Sequence, residues 1–122
     1  MKLIEFIFPP DPRSVGSDPD YRFTLANERT FLSWLRTSLA LVAGGLGAVV
    51  VLADVTGIEV LAVVVLALAF VAAGTAYRRW ALNERAMRLD EPLPPSLLPK
   101  VMTIGVALIG VVAVILLIID SQ

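Results

Sequence analysis

Residues 25–50 read "LANERTFLSWLRTSLALVAGGLGAVV" and decide the fold. The first half carries Asn27, Glu28, Arg29 and Arg36. The second half is apolar and interrupted by Gly44, Gly45 and Gly47. No turn residue separates the halves, so the stretch reads as one helix that leaves water and enters lipid. It contributes the first of three segments without formal charge, which cover 37–53, 60–77 and 101–119. A membrane-spanning helix needs roughly 17 to 25 mostly apolar residues, and each segment meets that length. Three buried soluble helices would need a polar shell that a chain of 122 residues with 57% hydrophobic content does not contain. The expected fold is an all-α membrane protein with spans near 37–53, 60–77 and 101–119.

Charge placement predicts the topology. Lys2, Arg13, Arg22, Arg29 and Arg36 precede span one, and Arg78, Arg79, Arg85, Arg88 and Lys100 lie between spans two and three. The remaining connection, "DVTGIE", holds only Asp54 and Glu59, and the chain ends in "DSQ". Basic residues flanking spans stay in the cytoplasm, so the N-terminus is expected inside and the C-terminus outside. The opening "MKLIEFIF" contains Glu5 and runs into prolines without a small-residue cleavage site, unlike a signal peptide.

Pro9, Pro10, Pro12, Gly16 and Pro19 give residues 1–18 the composition of a flexible tail, leaving 19–122 as the three-helix domain. In "SDPDYRF", Asp18 can cap a helix whose first turn holds Pro19. Helix one is then expected from about residue 19 to the low fifties, with its first turns outside the bilayer. Helix two continues past Tyr77 through "RRWALNERAMRL", where Glu84 and Arg88 can pair at i,i+4. Pro92, Pro94, Pro95 and Pro99 stop it, and span three is so apolar that it should face lipid over much of its surface. "ANER" at 26–29 and "LNER" at 82–85 echo one another on antiparallel helices, so the two sets can lie at similar depths.

At about 100° per residue, Arg22, Arg29, Ser33, Arg36, Ala40 and Gly47 fall along one line of helix one. Phe31, Trp34, Leu35, Leu41, Val42 and Val49 lie opposite, free to meet lipid or the other spans. Trp34, Tyr77 and Trp80 suit the interfacial aromatic belt. Three readings compete for the basic line. Arg29 and Arg36 can snorkel to anionic headgroups. Ala40, Gly44 and Ala48, with Ala43 and Gly47, form small-xxx-small patterns that let helices approach closely. The line can also face a cavity or axis and meet anions. Snorkelling with packing is the ordinary case, but Arg36 falls about a full turn inside the expected start of the bilayer, where a charge is costly and usually has a purpose. Glu28 is expected to pair with Arg78, Arg79 or Arg85, or with an arginine of a neighbouring subunit.

The chain contains neither Cys nor His, which excludes thiol chemistry, disulfides and His-based metal sites. No Ser-His-Asp set, P-loop or GxGxxG is present. No enzyme activity, cofactor or metal is expected, nor any nucleic-acid partner.

"YRFTLANERTFLSWLRTSLAL" and "YRRWALNERAMRL", each leading into or out of an apolar span, closely resemble the YidH-like inner-membrane family, a domain of unknown function. The same domain forms the small membrane subunit of the eukaryotic vacuolar transporter chaperone complex, a polyphosphate polymerase and translocator. There, five three-helix units surround a polyphosphate conduit with basic residues at its cytosolic mouth. The resemblance implies a homo-oligomer, pentameric by analogy. It also implies a cytoplasmic basic collar in which Arg29 meets anions and Glu28, with Asn27, organises it. Arg78 and Arg79 match the basic end of span two. Arg36 and Arg85 join the collar on the reading of the residues themselves. The alternative is a non-catalytic adaptor or scaffold that packs against another membrane protein. The polymerase and phosphate-sensing domains of the eukaryotic complex have no counterpart in this sequence, so polyphosphate synthesis is not implied.

Overall fold

The computed structural model describes residues 2–122. Among them it is all helical: α1 (Lys2–Ile7), a 3₁₀ turn (Pro12–Ser14), α2 (Tyr21–Val51), α3 (Ile58–Arg88) and α4 (Leu98–Asp120). The three long helices are each long and apolar enough to cross a membrane. α2 and α3 both run well beyond the uncharged segments, carrying their charged ends as continuous helix.

Helix boundaries follow local chemistry. α2 begins two residues later than the sequence suggests, because Asp20 and not Asp18 caps it. The Asp20 carboxylate accepts from the Arg22 amide at 2.9 Å, and Asp18 instead pairs with Arg88. α3 ends in a Schellman motif: the Glu91 amide reaches the Ala86 carbonyl and the Asp90 amide reaches that of Met87. Asp90 takes the left-handed conformation, φ 57°, that this motif requires at its penultimate position. The prolines then keep the chain from resuming a helix until α4, which holds Pro99 in its first turn.

The chain divides into two compact units. One comprises residues 37–72 and 97–122. Its core is Ile58, Ala62, Val65, Leu68, Ala69 and Ala72 of α3, with Leu98 and Met102 of α4. α3 buries Val65, Leu68, Ala69 and Ala72 at i, i+3, i+4 and i+7, and the alanines let neighbours approach its backbone closely. A Cβ on Gly105 of α4 would fall 2.5 Å from Leu68, which therefore occupies the space that the glycine leaves. Gly57 turns the α2–α3 connection with φ 80°, under Leu116 of α4. The Asp120 carboxylate at the end of α4 accepts from the Thr56 amide of that connection at 3.1 Å. α4 is exposed along most of its length, as its apolar composition predicts for a helix facing lipid.

Gly45 is the glycine of α2 that packs in this unit. A Cβ there would stand 3.2 Å from Leu66 and 3.3 Å from Val65, whereas Gly44 and Gly47 have nothing within 4 Å. Ala40 is exposed and Ala48 half-buried. Within the chain, the small-residue line is therefore open, and packing runs one residue to its side.

The other unit comprises, among the described residues, 2–36 and 73–96. The first ends of α2 and the last turns of α3 form its centre, and the N-terminal segment is tied to α3. The Arg88 guanidinium donates to the Val15 carbonyl at 2.7 Å and pairs with Asp18, while the Ser17 amide donates to the Arg88 carbonyl at 3.2 Å. Gly16 lies over that carbonyl, which leaves no room for a Cβ, and its φ of 64° places it in the region that glycine adopts freely. Phe8 packs on Tyr77 with ring centroids 5.3 Å apart. The segment whose composition predicts a tail thus carries two short helical pieces and several contacts to α3.

Candidate functional site

The two NER sets meet. Asn27 is buried and donates from Nδ2 to the Trp80 carbonyl at 3.0 Å, and its Oδ1 accepts from Asn83 Nδ2 at 3.4 Å. One turn earlier on α2, the Thr24 hydroxyl donates to Glu84 Oε1 at 2.7 Å. One turn later, Phe31 lies 6.5 Å from Trp80 and Trp34 lies beneath the Arg79 guanidinium at 5.7 Å. Thr24, Asn27, Phe31 and Trp34 are spaced alternately by three and four residues, the period that keeps one seam of a helix against an antiparallel partner. The echo at similar depth follows from this register. Phe31 and Trp34 face α3 in this seam.

The seam leaves several polar atoms buried without a partner. Glu84 is 4% exposed, and its Oε2 has no hydrogen-bond partner. Neither does Trp80 Nε1, nor one terminal nitrogen of Arg79. Beside the seam lies a cleft of about 530 Å³ whose wall includes Arg13, Tyr21, Glu28, Trp80, Glu84 and Arg88. A second groove, of about 280 Å³, shares Glu28 and Trp80 with it and continues over Phe31, Leu32 and Tyr77. Among the described residues no three acidic side chains are grouped to hold a metal ion.

The arginines expected to form a collar separate into two kinds. Arg29, Arg36 and Arg85 are exposed, and none has an ion pair or side-chain hydrogen bond among the described residues. Arg78 and Arg79 are half-buried and held by aromatic neighbours. Arg78 donates to the Phe6 carbonyl at 3.1 Å and lies 4.2 Å above the Phe6 ring, and Arg79 covers Trp34. Within the chain Glu28 pairs with none of the arginines of α3; it is exposed at the edge of the cleft. Glu84 and Arg88 do not pair with each other either: Glu84 takes Thr24, and Arg88 takes Asp18. At the start of α2 the Asp20 carboxyl is held below its ordinary value, first by the hydrogen bond from the Arg22 side chain and then by that from the Arg22 amide.

Glu84 and Trp80, which the sequence suggests as an i,i+4 partner of Arg88 and an interfacial anchor, instead line the seam. The signal was available in the antiparallel register of the two NER sets. Once Asn27 meets the Trp80 carbonyl, the residue a turn before Asn27 meets the one a turn after Trp80, which sets Thr24 against Glu84.

The model of a domain of unknown function, DUF202, matches residues 22–86, from the first turn of α2 to the last turns of α3. The uncharacterized protein Rv2272 of Mycobacterium tuberculosis is 43% identical over 104 residues, covering 83% of this chain and 85% of that protein. Inner membrane protein YidH of Escherichia coli K12 is 46% identical over 83 residues, covering 66% of this chain and 72% of YidH. No solved structure matches the chain significantly.

Proposed function

The chain belongs to the YidH-like DUF202 family, and from that premise we propose that it forms a homo-oligomer in which the Arg29–Arg36 line of α2 meets anions. It is a small multi-pass protein of the inner membrane. The observation that carries the proposal is the state of that line. Arg29 and Arg36 are exposed without an intramolecular partner, and Gly44 and Gly47 beyond them have open space where a side chain would be. A lone guanidinium beside an apolar span is costly unless water, headgroups or a counter-charge reach it. Close packing of copies along the small residues brings the arginines of several chains to one axis, where water and anions reach them. One three-helix chain is too thin to enclose such a path. Arg85, also exposed and unpaired, adds to the collar; Arg78 and Arg79 border it from their aromatic seats. The basic ends belong in the cytoplasm by the distribution of Lys and Arg, and the C-terminus outside. The anions are of the phosphate class, polyphosphate or lipid headgroups, and a pentamer is the arrangement that the family resemblance suggests.

The experiment is anion flux in proteoliposomes together with mass measurement of the protein in nanodiscs. A defined ring of identical subunits, with flux lost in Arg29→Glu, supports the proposal. Equal flux in both proteins, or none above empty vesicles, removes the conducting role. A monomer recovered only with a different membrane protein favours the alternative, an adaptor whose small-residue line packs on foreign helices.

A further inference from the structure

We infer that the cleft beside the NER seam binds a primary ammonium group carried on an apolar chain. This site is separate from the arginine line and has the opposite charge preference. Four observations support the assignment. First, Glu84 is buried in the wall of the cleft, with Oε1 taken by the Thr24 hydroxyl and Oε2 without a partner. A buried carboxylate oxygen left unpaired is expensive, and a cation within hydrogen-bond distance relieves that cost. Second, a further carboxylate, Glu28, lines the same cleft and is unpaired within the chain. Asp18 and Arg88 neutralise each other, and Arg13, exposed and without a side-chain partner among the described residues, is the remaining cation of the wall, so two carboxylates stand against one guanidinium. Third, the walls carry the rings of Trp80 and Tyr21, whose faces attract a cation. Fourth, the adjoining groove begins at the shared Glu28 and Trp80 and runs over Phe31, Leu32 and Tyr77. It offers apolar surface for a chain attached to the charged head.

The geometry selects ammonium over guanidinium. Guanidinium binds best as a fork on both oxygens of a carboxylate. Here Oε1 is already bound by the Thr24 hydroxyl and Oε2 has no partner, an asymmetry that suits a compact charge with rotating donors better than a flat fork that needs both oxygens. A metal ion is disfavoured because Asp18, Glu28 and Glu84, though all in the cleft wall, are not grouped closely enough to ligate one, and Asp18 is held by Arg88. The ammonium can come from a soluble alkylamine or from the headgroup of an aminophospholipid, since both join the same charge to an apolar tail.

The test uses the full-length protein in nanodiscs, with Trp34→Phe so that Trp80 alone reports by fluorescence. In phosphatidylglycerol discs, hexylamine should change the signal saturably and hexanol should not. Glu84→Gln should weaken hexylamine at least tenfold. Glu28→Gln, at an exposed position and so without consequence for folding, should weaken it severalfold. Discs containing phosphatidylethanolamine should shift the starting signal and compete with hexylamine if the lipid is the natural occupant; absence of competition assigns the site to soluble amines. An equal response to hexanol, the lack of any saturable response in both disc types, or unchanged affinity in both glutamine variants overturns the inference. These outcomes are independent of oligomeric state and anion flux.

Discussion

Replacing Asn27 by alanine probes the contact that joins the two NER motifs. The side chain is 8% exposed and makes two bonds of unequal quality. The bond to the Trp80 carbonyl, at 3.0 Å, has ordinary geometry. Its loss is worth about 1 kcal/mol, since a net intramolecular hydrogen bond contributes about 0.5–1.5. The carbonyl keeps its acceptor role in the ladder of α3, so no fully orphaned group remains there. The contact from Asn83, at 3.4 Å, lies beyond the usual N–H···O range. It should contribute about 0.3–0.5 kcal/mol, below the average of about 0.6 found for polar pairs between membrane helices. Alanine also recovers up to ~0.7 kcal/mol of helix propensity. Asn27→Ala is therefore expected to destabilise by about 0.6–0.8 kcal/mol, and Asn83→Ala, which gains the same helix propensity against a smaller loss, to stay within ~0.5 of neutral. The double mutant should show a coupling no greater than ~0.5 kcal/mol. Reversible unfolding in mixed detergent micelles, followed by circular dichroism, measures all three. A coupling above ~1.5 kcal/mol would mean that the Asn27–Asn83 bond dominates the junction and that the register described is wrong. No loss at all in Asn27→Ala would mean that the amide is not bonded to α3.

The adjacent glycines of α2 should respond oppositely. Gly45→Leu forces a side chain against Leu66 and Val65 and should cost about 1–3 kcal/mol by overpacking, read from the same unfolding assay. Gly44→Leu meets open space, should leave the single chain as stable or up to ~1 kcal/mol more so by helix propensity, and should weaken association between copies; equal destabilisation at both positions contradicts the packing described. The pH dependence of the α2 start follows from Asp20, whose carboxyl is lowered from 3.8 by Arg22. Its contribution is fully present above 3.8 and is lost as pH falls through the lower folded value, so helicity at residues 21–24 should fray only in strong acid. Asp20→Asn keeps an acceptor for the Arg22 amide and should abolish that acid-dependent component by amide NMR; an unchanged titration in the variant assigns the effect elsewhere.

Much of the fold follows from local pattern. Apolar length specifies three helices able to span a membrane, and the short "DVTGIE" connection makes the first two antiparallel. The prolines of 92–99 end the second. Each of these depends on residues close in sequence, so the chain alone determines them. The echo of "ANER" and "LNER" likewise places two polar sets at one depth, because antiparallel helices of similar reach bring their charged ends together.

What faces what is a different matter. Helical periodicity shows that Arg29, Arg36, Ala40 and Gly47 share a line, but not whether that line meets a neighbour. The answer depends on the rotation of α2 about its own axis, fixed by long-range contacts: Thr24 to Glu84, Asn27 to Trp80 and, in the other unit, Gly45 to Leu66. The tertiary structure turns the seam of Phe31 and Trp34 toward α3 and leaves the arginine line outward. It also assigns Arg88 to the N-terminal segment instead of Glu84, because a partner from a distant loop outcompetes an i,i+4 neighbour once Asp18 and the Val15 carbonyl are in reach. Glu84, an ordinary surface residue by its place in the sequence, thereby becomes the buried carboxylate of the cleft. The sequence alone determines the three helices and the side of each that carries charge. Only tertiary packing decides which charges are matched within the chain and which remain for a ligand, a lipid or another copy.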